Sequence, residues 1–378
     1  MRFSYKKLAL GVGVVVLAVL VWFVASGEYQ KYFFKPTGSN LPTGTSKEEV
    51  EQFSDIETIA YGLSIPWTIA ELPGGDLLFT ERTGSLKRLG IQNQTFEIDG
   101  VEHIGEGGLL GLALHPSFSE SGHIYLYLTT KTGDSLTNRI ERYVYKDDKL
   151  SDKQVIIEDI PGANFHDGGY IAFGPDSKLY ITTGDAGNEQ SAQDTEVLSG
   201  KILRLNDDGS IPGDNPFDNA VYSFGHRNPQ GLAWDDRGRL WATEHGPSGL
   251  DSGNDELNLI KKGANYGWPI IKGQQEREGM LKPIVESGPD ETWAPGGVAF
   301  YDGALYFAGL RGESLYQAKI NNDNSVDLKV HFAGDFGRLR GVFLNSKNLL
   351  LISTSNTDGR GSPADEDDRI IRINPAVL

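Results

Sequence analysis

Residues 69–79 read Ile69-Ala70-Glu71-Leu72-Pro73-Gly74-Gly75-Asp76-Leu77-Leu78-Phe79, and residues 171–181 read Ile171-Ala172-Phe173-Gly174-Pro175-Asp176-Ser177-Lys178-Leu179-Tyr180-Ile181. The two align without a gap. Each is a short apolar segment, a turn built from Gly, Pro, Asp or Ser, and a second apolar segment. That is hairpin chemistry, because these turn residues reverse the chain and the flanks pair as strands. Leu232-Ala233-Trp234-Asp235-Asp236-Arg237-Gly238-Arg239-Leu240-Trp241 nearly matches them. So do Leu112-Ala113-Leu114 with Ile124-Tyr125-Leu126, Val298-Ala299-Phe300 with Leu305-Tyr306-Phe307, and Val342-Phe343-Leu344 with Leu349-Leu350-Leu351.

The six copies begin at positions 69, 112, 171, 232, 298 and 342, spaced by 43 to 66 residues. A period of about 40–50 residues with one small sheet per unit marks a propeller, since each sheet buries its faces only against its neighbours. We read an all-β, six-bladed β-propeller, over the alternative of a β-sandwich with chance similarity. The longer steps read as insertions, expected on one face. Ring closure is expected to pair Glu57-Thr58-Ile59-Ala60 with the last blade near Arg369-Ile370-Ile371-Arg372.

Composition agrees with strands and tight turns: 378 residues hold 47 Gly and 10% aromatics. The formal charge of −17 argues against nucleic acid as a partner. With no Cys, disulfides, Cys-ligated metals and thiol nucleophiles are excluded. At the N-terminus, Arg2, Lys6 and Lys7 precede an apolar run over residues 8–26. Its length approaches the ~20 residues of a membrane span, against ~7–15 for the core of a cleaved signal. Residues 1–27 are therefore expected to be a signal anchor (transmembrane helix), with a signal peptide cut near Ala25-Ser26-Gly27 as the alternative. The basic flank stays in the cytoplasm, so the remainder is expected outside the cytoplasmic membrane and tethered to it. Residues 28–54 read as a flexible linker and 55–378 as the propeller.

Polar clusters fall at the edges of the repeats. They are Gly105-Glu106-Gly107-Gly108, Phe165-His166-Asp167-Gly168-Gly169, Gly184 to Gln190, Gly225-His226-Arg227-Asn228-Pro229-Gln230, Glu244-His245-Gly246-Pro247, Asn254-Asp255-Glu256 and Arg338-Leu339-Arg340. Together with Gly200 to Pro216 and Asn265-Tyr266-Gly267-Trp268-Pro269, they resemble the soluble quinoprotein sugar dehydrogenases, aldose dehydrogenases that use pyrroloquinoline quinone (PQQ) and calcium. The resemblance runs from about Gly62 to Ile373.

The resemblance implies oxidation of an aldose at C1 to a lactone, with hydride passing to the quinone. It implies His166 as the base for the C1 hydroxyl proton, a role suited to an imidazole, and Asp185 as the carboxylate that orients it. Arg227 is implied to stabilise charge on the quinone oxygen, with Asn228 lining the same site. Arg338 and Arg340 sit two apart, which puts both on one face of a strand. Guanidinium forks suit the three carboxylates of PQQ. Gln190, Glu106 (where relatives carry Gln) and Arg311 are further implied cofactor contacts. The resemblance places the catalytic calcium on the carbonyls of Gly246 and Pro247, and a second ion on the Glu256 side chain and the Tyr266 carbonyl; oxygen ligands of this kind suit calcium. Trp268, Trp293 and Tyr301 are candidate sugar platforms. The run Asp365-Glu366-Asp367-Asp368 reads as a solvated loop. The implied partners are an aldose substrate and an electron acceptor whose identity stays unknown. Two other functions compete: a non-catalytic propeller binding a protein or glycan, and a lactonase with a calcium held by side chains.

Overall fold

The computed structural model describes residues 55–249 and 252–378. The apolar run and the linker fall outside the described residues. Among those described, no helix is long and apolar enough to cross a membrane.

Six four-stranded antiparallel sheets make up the fold. Blades 1 to 5 are continuous in sequence, over residues 66–97, 109–161, 171–224, 229–286 and 295–331. Blade 6 takes Leu339–Leu344, Leu350–Thr354 and Ile370–Ile373 from the end of the chain, and its outer strand, Ile56–Ala60, from the beginning. The closing register pairs Ile56 with Ile373, Glu57 with Arg372 and Thr58 with Ile371. This is the expected closure, and it leaves no open edge within the ring.

The repeated turns are alike atom for atom. Leu72 N–H donates to Asp76 O and Gly75 N–H to Leu72 O; Gly174, Lys178 and Ser177 repeat the pattern, as do Asp235, Arg239 and Gly238, and Asn345, Leu349 and Asn348. The third member has a positive φ each time: Gly75 89°, Ser177 59°, Gly238 72°, Asn348 60°. Second strands such as Leu77–Glu81, Leu179–Thr183 and Leu240–Glu244 are buried at every position, because a blade meets a neighbour on both faces. The core accordingly lies between blades; Leu78 and Leu86 of blade 1 pack with Leu112 and Leu126 of blade 2. Each fully buried Leu contributes roughly 1.5–3 kcal/mol.

Near the axis the inner strands approach backbone to backbone. A Cβ at Gly231 would lie 2.7 Å from Gly296 O, one at Gly296 2.1 Å from Arg340 O, and one at Gly341 2.9 Å from Trp67 O. Only glycine permits that spacing.

The insertions do not all lie on one face. The first long step is mostly strand, since blade 2 contains His123–Thr132, Ser135–Lys146 and Lys149–Pro161. Segment 206–220 follows the far end of Lys201–Leu205, away from the loops at 162–170, 184–200 and 245–249. The acidic run also departs from expectation. Asp365 and Glu366 are exposed, but Asp368 is fully buried and accepts hydrogen bonds from Thr354 Oγ1 at 3.1 Å and Thr357 Oγ1 at 2.5 Å. It folds the loop that carries Asp358 and Arg360.

Candidate active site at one end of the channel

His166 stands in the loop that leads into the inner strand of blade 3. Its φ is 62°, a conformation that costs a non-glycine residue about 1–2 kcal/mol. Neighbours hold it there. Its N–H donates to Glu106 Oε2 at 2.9 Å, and its carbonyl accepts from Ala186 N–H at 3.2 Å. A Cβ at Gly184 would fall 1.8 Å from that carbonyl, so the loop carrying Asp185 can close on His166 only through a glycine.

Asp185 is fully buried and meets His166 Nδ1 at 2.8 Å through Oδ1. The same oxygen accepts from Gly187 N–H, and Oδ2 accepts from the Trp268 indole, each at 2.8 Å. Burial pushes this carboxyl up, but the hydrogen bonds from His166, Gly187 and Trp268 outweigh it and hold it below its ordinary value. An ionised carboxylate only accepts, so Nδ1 carries the hydrogen, and the neutral tautomer this selects is the one with its lone pair on Nε2. The imidazole is partly open to solvent, with 13% of the side chain exposed.

Arg227 lies over the other side of this arrangement, its guanidinium carbon 5.3 Å from the Trp268 ring centre. It reaches Ser248 Oγ at 3.2 Å and the His245 carbonyl at 3.5 Å. Burial draws its pKa down, against Asp185, Glu106, Asp255 and Glu244. Asn228 accepts from Gly168 N–H at 3.0 Å, while its own buried Nδ2 has no hydrogen-bond partner.

From blade 6 come Arg338 and Arg340. Arg338 pairs with Asp358 at 2.8 Å and donates to Leu310 O at 3.2 Å. Arg340 lies 5.6 Å from the Trp67 ring centre, bonds Gln230 Oε1, and has a buried Nε without a partner. Burial, with Arg82 adding to it, draws Arg340 down to about 9. Arg311 is likewise drawn to about 9, by burial, between Asp255 and Arg338. Glu106 pairs with Arg360 at 2.7 Å; burial pushes its carboxyl up, yet Arg360 and the His166 N–H prevail and bring it to about 2. The result is a buried floor of arginines, Arg227, Arg338 and Arg340, interleaved with carboxylates. Its orphaned donors, Asn228 Nδ2 and Arg340 Nε, suit a planar polyanion such as PQQ.

Gly246 follows directly on His245. Its N–H donates to Asp255 Oδ1 at 2.8 Å, and the other oxygen of Asp255 accepts from Trp293 N–H at 2.7 Å and Ala294 N–H at 2.9 Å. The segment bearing the Gly246 and Pro247 carbonyls is thereby fixed beside Arg227. Glu256 lies elsewhere in blade 4, in register with both Glu244 and Glu286. Burial, with those two carboxylates beside it, raises its pKa well above the usual range. Glu286 Oε2 and Asn258 Oδ1 are buried there without partners, an oxygen-only donor set that fits calcium. Tyr266 joins this region through His226, on which it stacks at 4.7 Å; His226 Nδ1 in turn meets Glu244 Oε2 at 2.8 Å.

The structure thus gathers His166, Asp185, Arg227, Asn228, Glu106, Arg338, Arg340 and Arg311 at one end of the channel, with Gly246 and Pro247 beside them. Gln190 sits exposed on the short helix Glu189–Gln193 and joins none of the hydrogen bonds described above. The sugar platforms need correction. Trp268 is 6% exposed and supports Asp185 and Arg227. Trp293 packs inside blade 5 against Phe307 and Tyr316. Tyr301 ends its strand away from the site and packs on the blade 5–6 core. Sequence reasoning missed Arg82, Asp358 and Arg360, and gave no role to His245 or Asp255. Burial near Arg340 and Arg227 takes the His245 imidazole down to about 3 even beside Glu106.

Known proteins share this arrangement of blades. The PQQ-bound form of aldose sugar dehydrogenase from Streptomyces coelicolor superposes with a TM-score of 0.79 at 40% identity, covering 84% of this chain and 97% of that one. Quinoprotein glucose dehydrogenase B of Acinetobacter calcoaceticus is 36% identical over 63% of this chain and 57% of its own length. Aldose sugar dehydrogenase YliI of Escherichia coli is 29% identical over 81% of this chain and 91% of its own. The Glucose / Sorbosone dehydrogenase profile matches residues 63–371, a span that takes in every strand of the six blades except the closing one and the last residues of its partner. The chain belongs to the Glucose / Sorbosone dehydrogenase family.

Proposed function

We propose that this protein oxidises aldoses at C1 to lactones, with PQQ as hydride acceptor and calcium as its companion ion. The observation that carries the reading is the His166–Asp185 pair at the edge of a buried floor of arginines. PQQ supplies a two-electron acceptor when bound, and calcium a Lewis acid. The chain supplies the rest. Arg338, Arg340 and Arg311 hold carboxylates, and Asn228 Nδ2 offers a hydrogen bond. Arg227 steadies negative charge that develops beside it. His166 Nε2 takes the C1 hydroxyl proton, while Asp185 fixes the ring and steadies the imidazolium. Gly246 and Pro247 offer carbonyls to the catalytic ion, and Glu256 with Tyr266 serves a structural one. Two relatives named as sugar dehydrogenases and a PQQ-bound structural neighbour support the assignment.

The same proposal includes the compartment. Residues 8–26 hold the propeller outside the cytoplasmic membrane, where sugars and calcium are at hand; fractionation of the full chain tests this. The activity is tested by adding PQQ and calcium to the full chain and following dye reduction over a panel of aldoses. Turnover that requires PQQ, is removed by chelation and is abolished in His166→Ala is expected. No PQQ dependence across the panel would sink the reading and favour the binding module.

A further inference from the structure

The segment from Gly200 to Pro216 stood out in the sequence, yet most of it lies far from His166. Arg204 is its centre. It donates to Asp176 Oδ2 through Nε at 3.0 Å and Nη2 at 2.8 Å, and through Nη1 to Asp214 at 2.7 Å and Asn215 at 3.0 Å. Its guanidinium carbon is 5.9 Å from the ring centres of both Tyr180 and Tyr222. Tyr180 Oη adds a third hydrogen bond to Asp176 Oδ2 at 3.1 Å. Arg204 thus fixes a carboxylate and two aromatic rings at once.

Those groups wall a cavity of about 330 Å³ between blades 3 and 4, completed by Trp234, Arg239 and Lys261. The size lies within the roughly 300–1,000 Å³ of small-molecule sites. Trp234 ends the inner strand that starts beside Arg227, and Asp176 lies in the turn after the strand that follows His166. The cavity therefore opens at the opposite end of the blades from the active site. Trp234 meets Tyr180 edge-on at 5.2 Å and is itself half-buried. Arg239 is anchored to Asp235 at 2.6 Å, and Lys261 is exposed.

We propose that this cavity binds a pyranose ring of a saccharide, at a site separate from the one that holds His166. The lining decides the ligand class. A hydrocarbon would cover the Lys261 ammonium and the polar edge made by Asp176 and Arg239 without offering them a hydrogen bond in place of water. An anion would meet the Asp176 carboxylate on a chain of formal charge −17. A pyranose has an apolar C–H face for Trp234 and Tyr222, and a rim of hydroxyls that donate to Asp176 and accept from Arg239 and Lys261. The inference stands apart from the oxidation reading, since no residue of the proposed reaction lines this cavity.

Methyl glucoside and methyl maltoside are suitable probes, because their blocked C1 cannot be oxidised. Saturation-transfer NMR on the full chain is expected to show binding to the wild type and equally to His166→Ala. Trp234→Ala is expected to weaken it about tenfold or more while dye-linked turnover persists. Lys261→Ala, at an exposed position that leaves the fold intact, is expected to weaken it several-fold and serves if Trp234→Ala fails to fold. Absence of binding to the wild type, loss of binding in His166→Ala, or full binding in Lys261→Ala overturns the proposal.

Discussion

Asp185 joins two residues that are 102 positions apart, accepting the His166 imidazole on one oxygen and the Trp268 indole on the other, each at 2.8 Å. The carboxylate thereby sets the tautomer of the base and fixes the ring over which Arg227 lies. Base and cation share one support.

Asp185→Asn removes the charge and offers an amide that can donate toward Nδ1, which reverses the tautomer. Turnover is expected to fall by about 10²–10⁴-fold with little change in KM, since the carboxylate acts through His166 and not on the sugar. Steady-state kinetics with dye acceptor, compared over pH, measures it. An unchanged turnover would remove Asp185 from the proposed reaction.

Acid stability follows from Glu106. Its folded pKa is lowered from 4.5 to about 2. A lowered carboxyl stabilises the fold above its unfolded value and loses that contribution as pH falls between the two. Against burial, which pushes the carboxyl up, Arg360 is the largest single influence lowering it, ahead of the His166 N–H, and Arg360→Ala removes that influence. It is expected to cost on the order of 2 kcal/mol near neutral pH, allowing for screening at the half-exposed Arg360, and to flatten the decline between pH 4.5 and 2. Denaturant unfolding across that window, for both proteins, is the measurement.

Calcium is expected to raise the melting temperature of the chain even without PQQ, because burial, with Glu244 and Glu286 adding to it, pushes Glu256 up and a bound cation offsets both. The gain grows as pH rises, since the ion binds the ionised form. Glu256→Gln is expected to remove most of the shift. Scanning fluorimetry with calcium and with chelator decides this without reference to activity.

Removal of residues 1–54 is expected to leave the melting temperature nearly unchanged. Removal of residues 1–60 deletes the strand that pairs Ile56 with Ile373 and exposes Ile370–Ile373 as an edge. A drop of about 10 °C or more, with aggregation, is expected on heating.

The blades were legible because each repeats one hairpin whose turn chemistry is local; Gly75 and Gly238 announce positive φ in the sequence itself. Ser177 takes the same conformation without such a signal and was found only by alignment with its neighbours. His166, Asp185 and Arg227 were legible through motif resemblance. Arg82 and Arg360 were not, because each stands alone in sequence and acquires meaning only when blade closure brings it near Glu106 and Asp358. Trp268 was misread as a sugar platform for a related reason. Nothing local shows that its indole would point inward to Asp185.

The shared construction of blade 6 bears on how the protein is made. Ile56–Ala60 leaves the ribosome among the first residues of the propeller, and Ile370–Ile373 among the last. The opening strand must wait, unmated, through the synthesis of five blades. A prematurely terminated product would keep two raw sheet edges, so the ring itself distinguishes finished chains from incomplete ones.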